Sequence, residues 1–319
     1  MYYSCTDLLA KTDLDGNLIG SVNGLNGHLG CIAYNKDDNK VYGSLEFKHD
    51  SVGSNILSNI KKYTGENREI EDGFYIVCFD VSKITRPDMD AENDGIMESV
   101  FLKEVFDDYN AKGHRYGCSG IDGTTFAPIP GEKDGKEYLY VSYGIYSDLN
   151  RSDNDNQVIL RYDLDTLKKY MQPLSQKSMH RNGPDKPDSK YFVFTGNTTY
   201  GIQNLEYSKE NNCLFAAVYK GKKIEYPNYY MYAIDLNNKS EVKTPKGLFE
   251  EHETLTLRND LGITDKNTGI SGIDFAFGST GMISLGENYF YFSEDYKNEN
   301  GYGTKVNLYK FNGKTFLKA

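Results

Sequence analysis

Short apolar runs alternate with polar turns along the chain, and their period is that of strands rather than helices. A glycine-led pattern recurs four times: HLGCIAYNKDDNKVYGSLEF at 28–47, GCSGIDGTTFAPIPGEKDGKEYLYVSYGIY at 117–146, YGIQNLEYSKENNCLFAAVYKG at 200–221 and GISGIDFAFGSTGMISLGENYFYFSEDY at 269–296. Each copy predicts a short strand, a polar turn, and a second strand rich in Tyr and Phe. The turns carry suitable residues, such as Asp37-Asp38-Asn39 and Asp134-Gly135.

A third strand follows each copy: GFYIVCFDVSK (73–83), VILRYDLDTL (158–167), YMYAIDLNNK (230–239) and VNLYKFNGKT (306–315), with a fifth member, LLAKTDLDGN, at 8–17. In four of the five an Asp closes the strand (Asp13, Asp80, Asp163 and Asp235), where its carboxylate is expected to start the turn. A fourth strand then leads to the next glycine, as in NLIGSV (17–22), SVFLKEV (99–105) and KYFVFTG (190–196). Four strands make one propeller blade. The pattern over nearly the whole chain therefore resembles β-propellers. It implies an all-β fold, a propeller with about five four-stranded blades, in a single domain over 1–319. The N-terminal unit lacks a first strand, so either the chain was trimmed upstream of Met1, which would fit a secreted or cell-envelope protein, or ring closure uses a segment without the pattern.

Insertions are expected at about 48–72, 85–98 and 175–190. Residues 51–65 read as a short helix, capped by Ser51 or Ser54, striped by Ile56, Leu57 and Ile60, and ended by Gly65. The other two read as polar loops, where function usually sits on a rigid scaffold.

Composition narrows the function classes. The 27 Tyr and 16 Phe favour pleated strands. A net charge of -10 supplies no basic excess for phosphate recognition, which argues against nucleic acid as a partner. No apolar run is long enough to span a bilayer, and MYYSCTDLL lacks the features of a signal peptide. The five cysteines have no zinc-type spacing and read mostly as buried strand residues, with Cys31 and Cys118 as a conceivable pair. A monomer is expected.

Four sets of residues carry candidate chemistry. Aligning the repeats on Ile32, Ile121, Leu205 and Ile273 puts Ala33, Asp122, Glu206 and Asp274 at one position of the innermost strands. This arrangement resembles the glycosidases built on five-bladed propellers. The resemblance implies that Asp122, Glu206 and Asp274 serve as acid, base and modulator, since glycoside hydrolysis needs paired carboxyls. Repeated turn-stabilising acids are the alternative. His28 and His114, in the matching segments GHLGC and GHRYGC, stand before first strands with Arg115 beside the second. They would position a ligand or a metal, or else bond loop carbonyls. Glu46, Tyr143, Tyr219 and Glu294-Asp295 end the Tyr-rich second strands, where aromatic faces and acids suit a sugar. Asp90, Glu92 and Asp94 precede Gly95 in the manner of a calcium loop, but Phe101 replaces the bidentate Glu.

Two readings result. One is a carbohydrate-active or carbohydrate-binding propeller with its ligand at the mouth of the channel, a glycoside hydrolase if catalytic. The other is a non-catalytic scaffold that binds a protein or small ligand on one face.

Overall fold

The structure, a computed structural model, describes residues 1–299 and 301–319. The chain divides into two compact units. Five of its six sheets, two in the first unit and three in the second, are the blades of a five-bladed β-propeller fold, and the sixth has only two strands.

The first unit comprises Met1–Asp108 and Tyr162–Pro187. Its strands are β1 (Tyr2–Cys5), β2 (Leu8–Thr12), β3 (Leu18–Asn23), β4 (His28–Asn35), β5 (Lys40–Phe47), β6 (Gly73–Asp80), β7 (Met89–Asp90) and β8 (Met97–Phe101). One sheet has the order β1-β2-β3-β7, with β7 parallel to β3. The other is the antiparallel series β4-β5-β6-β8. β5 and β6 are buried on both faces, which is why their apolar runs show no alternation. Leu9, Val22, Leu45, Phe47, Val77 and Phe79 belong to one apolar core.

The predicted helix is α1 (Ser51–Thr64). Gly65 ends it in the left-handed conformation, as expected. The cap is Asp50, the residue before Ser51, and it accepts from Val52 N (2.9 Å) and Gly53 N (3.1 Å). Ile56 and Ile60 are buried, and Leu57 packs on the core. The predicted strand 99–105 stops at Phe101, and α2 (Lys103–Asn110) follows. Leu102, Val105 and Tyr109 are buried at helical spacing, so the period changes within that segment. Asp163 caps the short α3 (Leu164–Lys168).

The second unit comprises Tyr109–Arg161 and Asp188–Ala319. It holds β9 (Cys118–Ala127), β10 (Tyr138–Ile145), β11 (Asn156–Tyr162), β12 (Ser189–Phe194), β13 (Thr198–Ser208), β14 (Cys213–Lys220) and β15 (Met231–Asp235). It continues through β16 (Glu241–Lys243), β17 (His252–Thr254), β18 (Ile263–Thr264), β19 (Ser271–Gly272), β20 (Met282–Gly286), β21 (Tyr289–Asn298), β22 (Gly301–Phe311) and β23 (Phe316–Lys318). The first blade here, β9-β10-β11-β12, is extended by β17, parallel to β12, and then β16. The second is β13-β14-β15, and the third is β20-β21-β22-β23.

The strand-ending acids act as predicted. Asp13, Asp80 and Asp235 accept from the main-chain N–H two residues on, and Asp163 from the one three residues on. Asn312 does the same in 306–315, the one member without the Asp, accepting from Lys314 N and Thr315 N.

Candidate functional site

Two of the three aligned carboxylates lie on the first strands of their blades. Asp122 lies on β9 and Glu206 on β13, neighbouring strands whose backbones approach closely: a Cβ on Gly123 would lie 3.1 Å from the Leu205 Cβ. Asp274 lies outside any strand. Its neighbour Ile273 bridges Met231 on β15, at the other edge of that blade from β13. The first strand of the last blade is instead Met282–Gly286. The likeness between GISGID and GCSGID is one of letters, and the structure corrects the register it implied. Asp274 is 56% exposed and pairs with Lys220 at 2.8 Å.

Glu206 has a distinct environment. Successive residues of a strand face opposite sides, so with Leu205 toward β9, Glu206 turns toward β20 and accepts from Ser284 N at 2.8 Å. Part of the residue surface reaches solvent, but the carboxyl group itself is desolvated, and this pushes its pKa up to about 8 despite the Ser284 donor. Glu206 is therefore largely protonated at neutral pH.

The remaining predicted residues have diverse placements. In the first unit, Glu46 is buried and binds Lys48 at 2.6 Å, with His28 Nδ1 3.5 Å away. Burial opposes ionisation of Glu46, but Lys48 and His28 hold its pKa below the usual carboxylate range. Asp90 accepts from Glu92 N, Asn93 N and Asn93 Nδ2, Asp94 pairs with Arg86 at 2.8 Å, and Glu92 accepts from Gln176 N. Among the described residues no group of three His, Cys, Asp or Glu is placed to hold a metal ion.

In the second unit, His114 Nδ1 lies 2.6 Å from the carbonyl oxygen of Tyr109, in the last turn of α2. Arg115 is exposed and Tyr143 is fully buried, its ring under Lys190 Nζ. Tyr219 is partly exposed. Desolvation raises its pKa, a Ser279 hydrogen bond lowers it, and the charges of Asp122 and Asp295 raise it further. Glu294 accepts from Tyr309 OH at 2.5 Å. His28 and His114 belong to different units, as do Cys31 and Cys118.

A second feature of this unit escaped the sequence reading. Asp155 and Lys223, 2% and 6% exposed, pair at 2.6 and 2.7 Å through both carboxylate oxygens, and Tyr226 OH also donates to Asp155. Lys223 further donates to Arg151 O, and Asn156 Nδ2 to Lys246 O at 2.8 Å. The Lys246 ammonium sits over the rings of Phe194 and Tyr226. Three loops, 146–155, 221–230 and 244–251, are thus tied together from below. At their tips Ile224 is 99% and Phe249 100% exposed, with Leu149 exposed on the first loop. The signal available in sequence was the polar run Asp153-Asn154-Asp155-Asn156-Gln157 entering a strand, in which Asn154 to Gln157 are buried. A cavity of about 250 Å³ near the end of β15 is lined by Asp235, Asn238, Lys239, Glu241 and Thr254, and contains none of the predicted site residues.

No protein-family model matches the chain, and no curated protein matches it. Among solved structures, it is similar to one described as "Crystal structure of Nidogen/Laminin Complex", at 11% identity and a TM-score of 0.33, over 97% of this chain and 88% of that one. It is also similar to "Structure of Dos1 propeller", at 12% identity and a TM-score of 0.31, over 98% of this chain and 75% of that one. Among the described residues no helix is long and apolar enough to cross a membrane.

Proposed function

We propose that this chain is a non-catalytic propeller scaffold that binds a protein partner through the loop tips of its second unit. The observation that supports this most is the pairing of full exposure with rigid support. Ile224 and Phe249 stand clear of the surface, while the loops beneath them are fixed by the buried Asp155–Lys223 pair and by Lys246. Large apolar side chains on pre-organised loops bind without first having to be ordered, which favours affinity. The test compares partners retained by the immobilised chain with those retained by an Ile224→Asp/Phe249→Asp variant. A partner lost with the variant, and then bound in purified form, supports the reading. A purified partner bound equally by both chains contradicts it.

One observation favours a second reading, glycoside hydrolysis. A Glu206 protonated at neutral pH has the state required of a general acid. Asp122 on the neighbouring strand would then be base or nucleophile, with Tyr219 and Asp274 at the rim and a sugar as ligand. Turnover of an aryl glycoside abolished by Glu206→Gln, in a variant that still folds, would favour this reading. An absence of turnover above background favours the scaffold.

A further inference from the structure

Residues 172–182, which overlap the polar loop read from the sequence at 175–190, are stitched to the edge of β8 within the first unit. Ser99 N donates to Gln172 O (2.8 Å), Gln172 N to Ser99 O (3.1 Å) and Phe101 N to Asn182 O (2.9 Å). Gln176 Nε2 donates to Gly24 O (2.8 Å) and its Oε1 accepts from Asn26 N (2.7 Å), while Leu174 is buried in the core. His180 lies between these anchors. Its carbonyl accepts from Tyr75 OH (2.7 Å), Nδ1 accepts from Asn182 N (3.2 Å), and Nε2 lies 2.8 Å from Ser99 Oγ. A main-chain N–H only donates, so Nδ1 carries no proton and the ring is the neutral Nε2–H tautomer.

We propose that Gln172–Asn182 is an acid-released strap with His180 as its trigger. Protonation puts a hydrogen on Nδ1 facing the Asn182 N–H, so an acceptor becomes a second donor and that bond is lost. That bond lies within the strap and holds Asn182, whose carbonyl accepts from Phe101 N on β8; once it is lost, the strap separates from β8 at this end and uncovers the strand edge beneath it, a surface able to pair with another strand. This device is independent of the loop-tip binding face.

The groups around His180 favour its neutral form. β6 presents the Tyr75 ring, at a centroid distance of 5.5 Å, and β8 presents Ser99. Arg181, next on the strap, opposes a second positive charge; it pairs with Glu71 at 3.2 Å and lies over Phe101 and Phe106. Desolvation first, and Arg181 second, hold the His180 pKa below the usual histidine value. The unfolded chain therefore takes up this proton first as the pH falls, and the contribution of His180 to strap docking is present at neutral pH and lost in acid.

The experiment uses the full chain and two readouts. With five histidines in the sequence, imidazole ¹⁵N resonances at pH 7.5 report the tautomer directly. His180 is expected to show an unprotonated Nδ1. Hydrogen exchange at pH 7.5 and 5, corrected for intrinsic rates, is expected to speed up on the order of 10-fold at Gln172, Asn182 and Phe101, as loss of a hydrogen bond implies. His180→Asn keeps an acceptor near Nδ1 that does not titrate, and should stay protected at both pH values. If that variant does not fold, the wild-type exchange profile decides, since its midpoint must follow the His180 titration. A protonated Nδ1 at pH 7.5, acid loosening retained in His180→Asn, or a midpoint unrelated to His180 would each overturn the proposal.

Discussion

Glu206 on β13 accepts a hydrogen bond from the main-chain N–H of Ser284 on β20, 2.8 Å away, and so joins the first strands of two successive blades. One backbone donor does not offset the desolvation of the carboxyl group, and its pKa rises to about 8. The folded state holds this proton more tightly than the unfolded chain. Its contribution to stability is therefore greatest below the ordinary Glu range and is lost as pH rises from there through about 8. Glu206→Gln keeps the acceptor for Ser284 N and removes the titration. Above pH 8 it should be more stable than wild type, by on the order of a few kcal/mol, and the two should converge near pH 4. Melting temperatures at several pH values check this, and parallel profiles would contradict it.

The Asp155–Lys223 pair predicts an asymmetry between single and double variants. Lys223→Met leaves a buried carboxylate without its cation, which should cost roughly 3–5 kcal/mol, whereas Lys223→Met combined with Asp155→Leu should recover much of that loss. Urea midpoints of the three chains measure it. A double variant no better than the single one would mean that the pair is needed as a pair.

Gly53, inside α1, should resist the substitution that helix propensity favours. Gly→Ala in a helix normally stabilises by about 0.5–1 kcal/mol. Here a Cβ would lie 1.7 Å from the Lys48 carbonyl oxygen, so Gly53→Ala should destabilise α1 instead. Asp50→Ala, which removes the cap, should cost about 0.5–2 kcal/mol. Chemical denaturation gives both signs.

Thiol reactivity should separate the cysteines. Cys5 is exposed, whereas Cys31, Cys78, Cys118 and Cys213 are buried. Burial pushes the Cys78 pKa up to about 11 and also raises that of Cys213, so neither forms the reactive thiolate readily. A thiol reagent at pH 7.5 should label one site quickly in the native chain and all five in denaturant.

The blades were legible because their cues are local. Asp13, Asp80, Asp163 and Asp235 mark strand ends through bonds to residues two or three positions on, and Gly65 marks a helix end by its own conformation. The failures come from partners far away in sequence. Asp274 follows a glycine-isoleucine pattern like that of Asp122, but pairing of Ile273 with Met231 places it at the opposite blade edge. Parallel pairing of Tyr191 with Glu253 extends a blade through a segment with no repeat signature. The helix α2 was legible in the spacing of Leu102, Val105 and Tyr109, but the apolar Val100-Phe101-Leu102 run before it read as a continuing strand. Ile224 and Phe249 carry no local sign of exposure, because it is the surrounding loops that leave them uncovered.

The central claim is a binding face without chemistry, and the most direct measurement is the affinity of one purified partner for four chains: wild type, Ile224→Asp/Phe249→Asp, Asp122→Asn and Glu206→Gln. At least a 10-fold loss of affinity is expected for the loop-tip variant, as for truncated apolar anchors, and wild-type affinity for both carboxylate variants. Unchanged affinity in the loop-tip variant, with loss in Asp122→Asn or Glu206→Gln, would move the site to the carboxylates and contradict it.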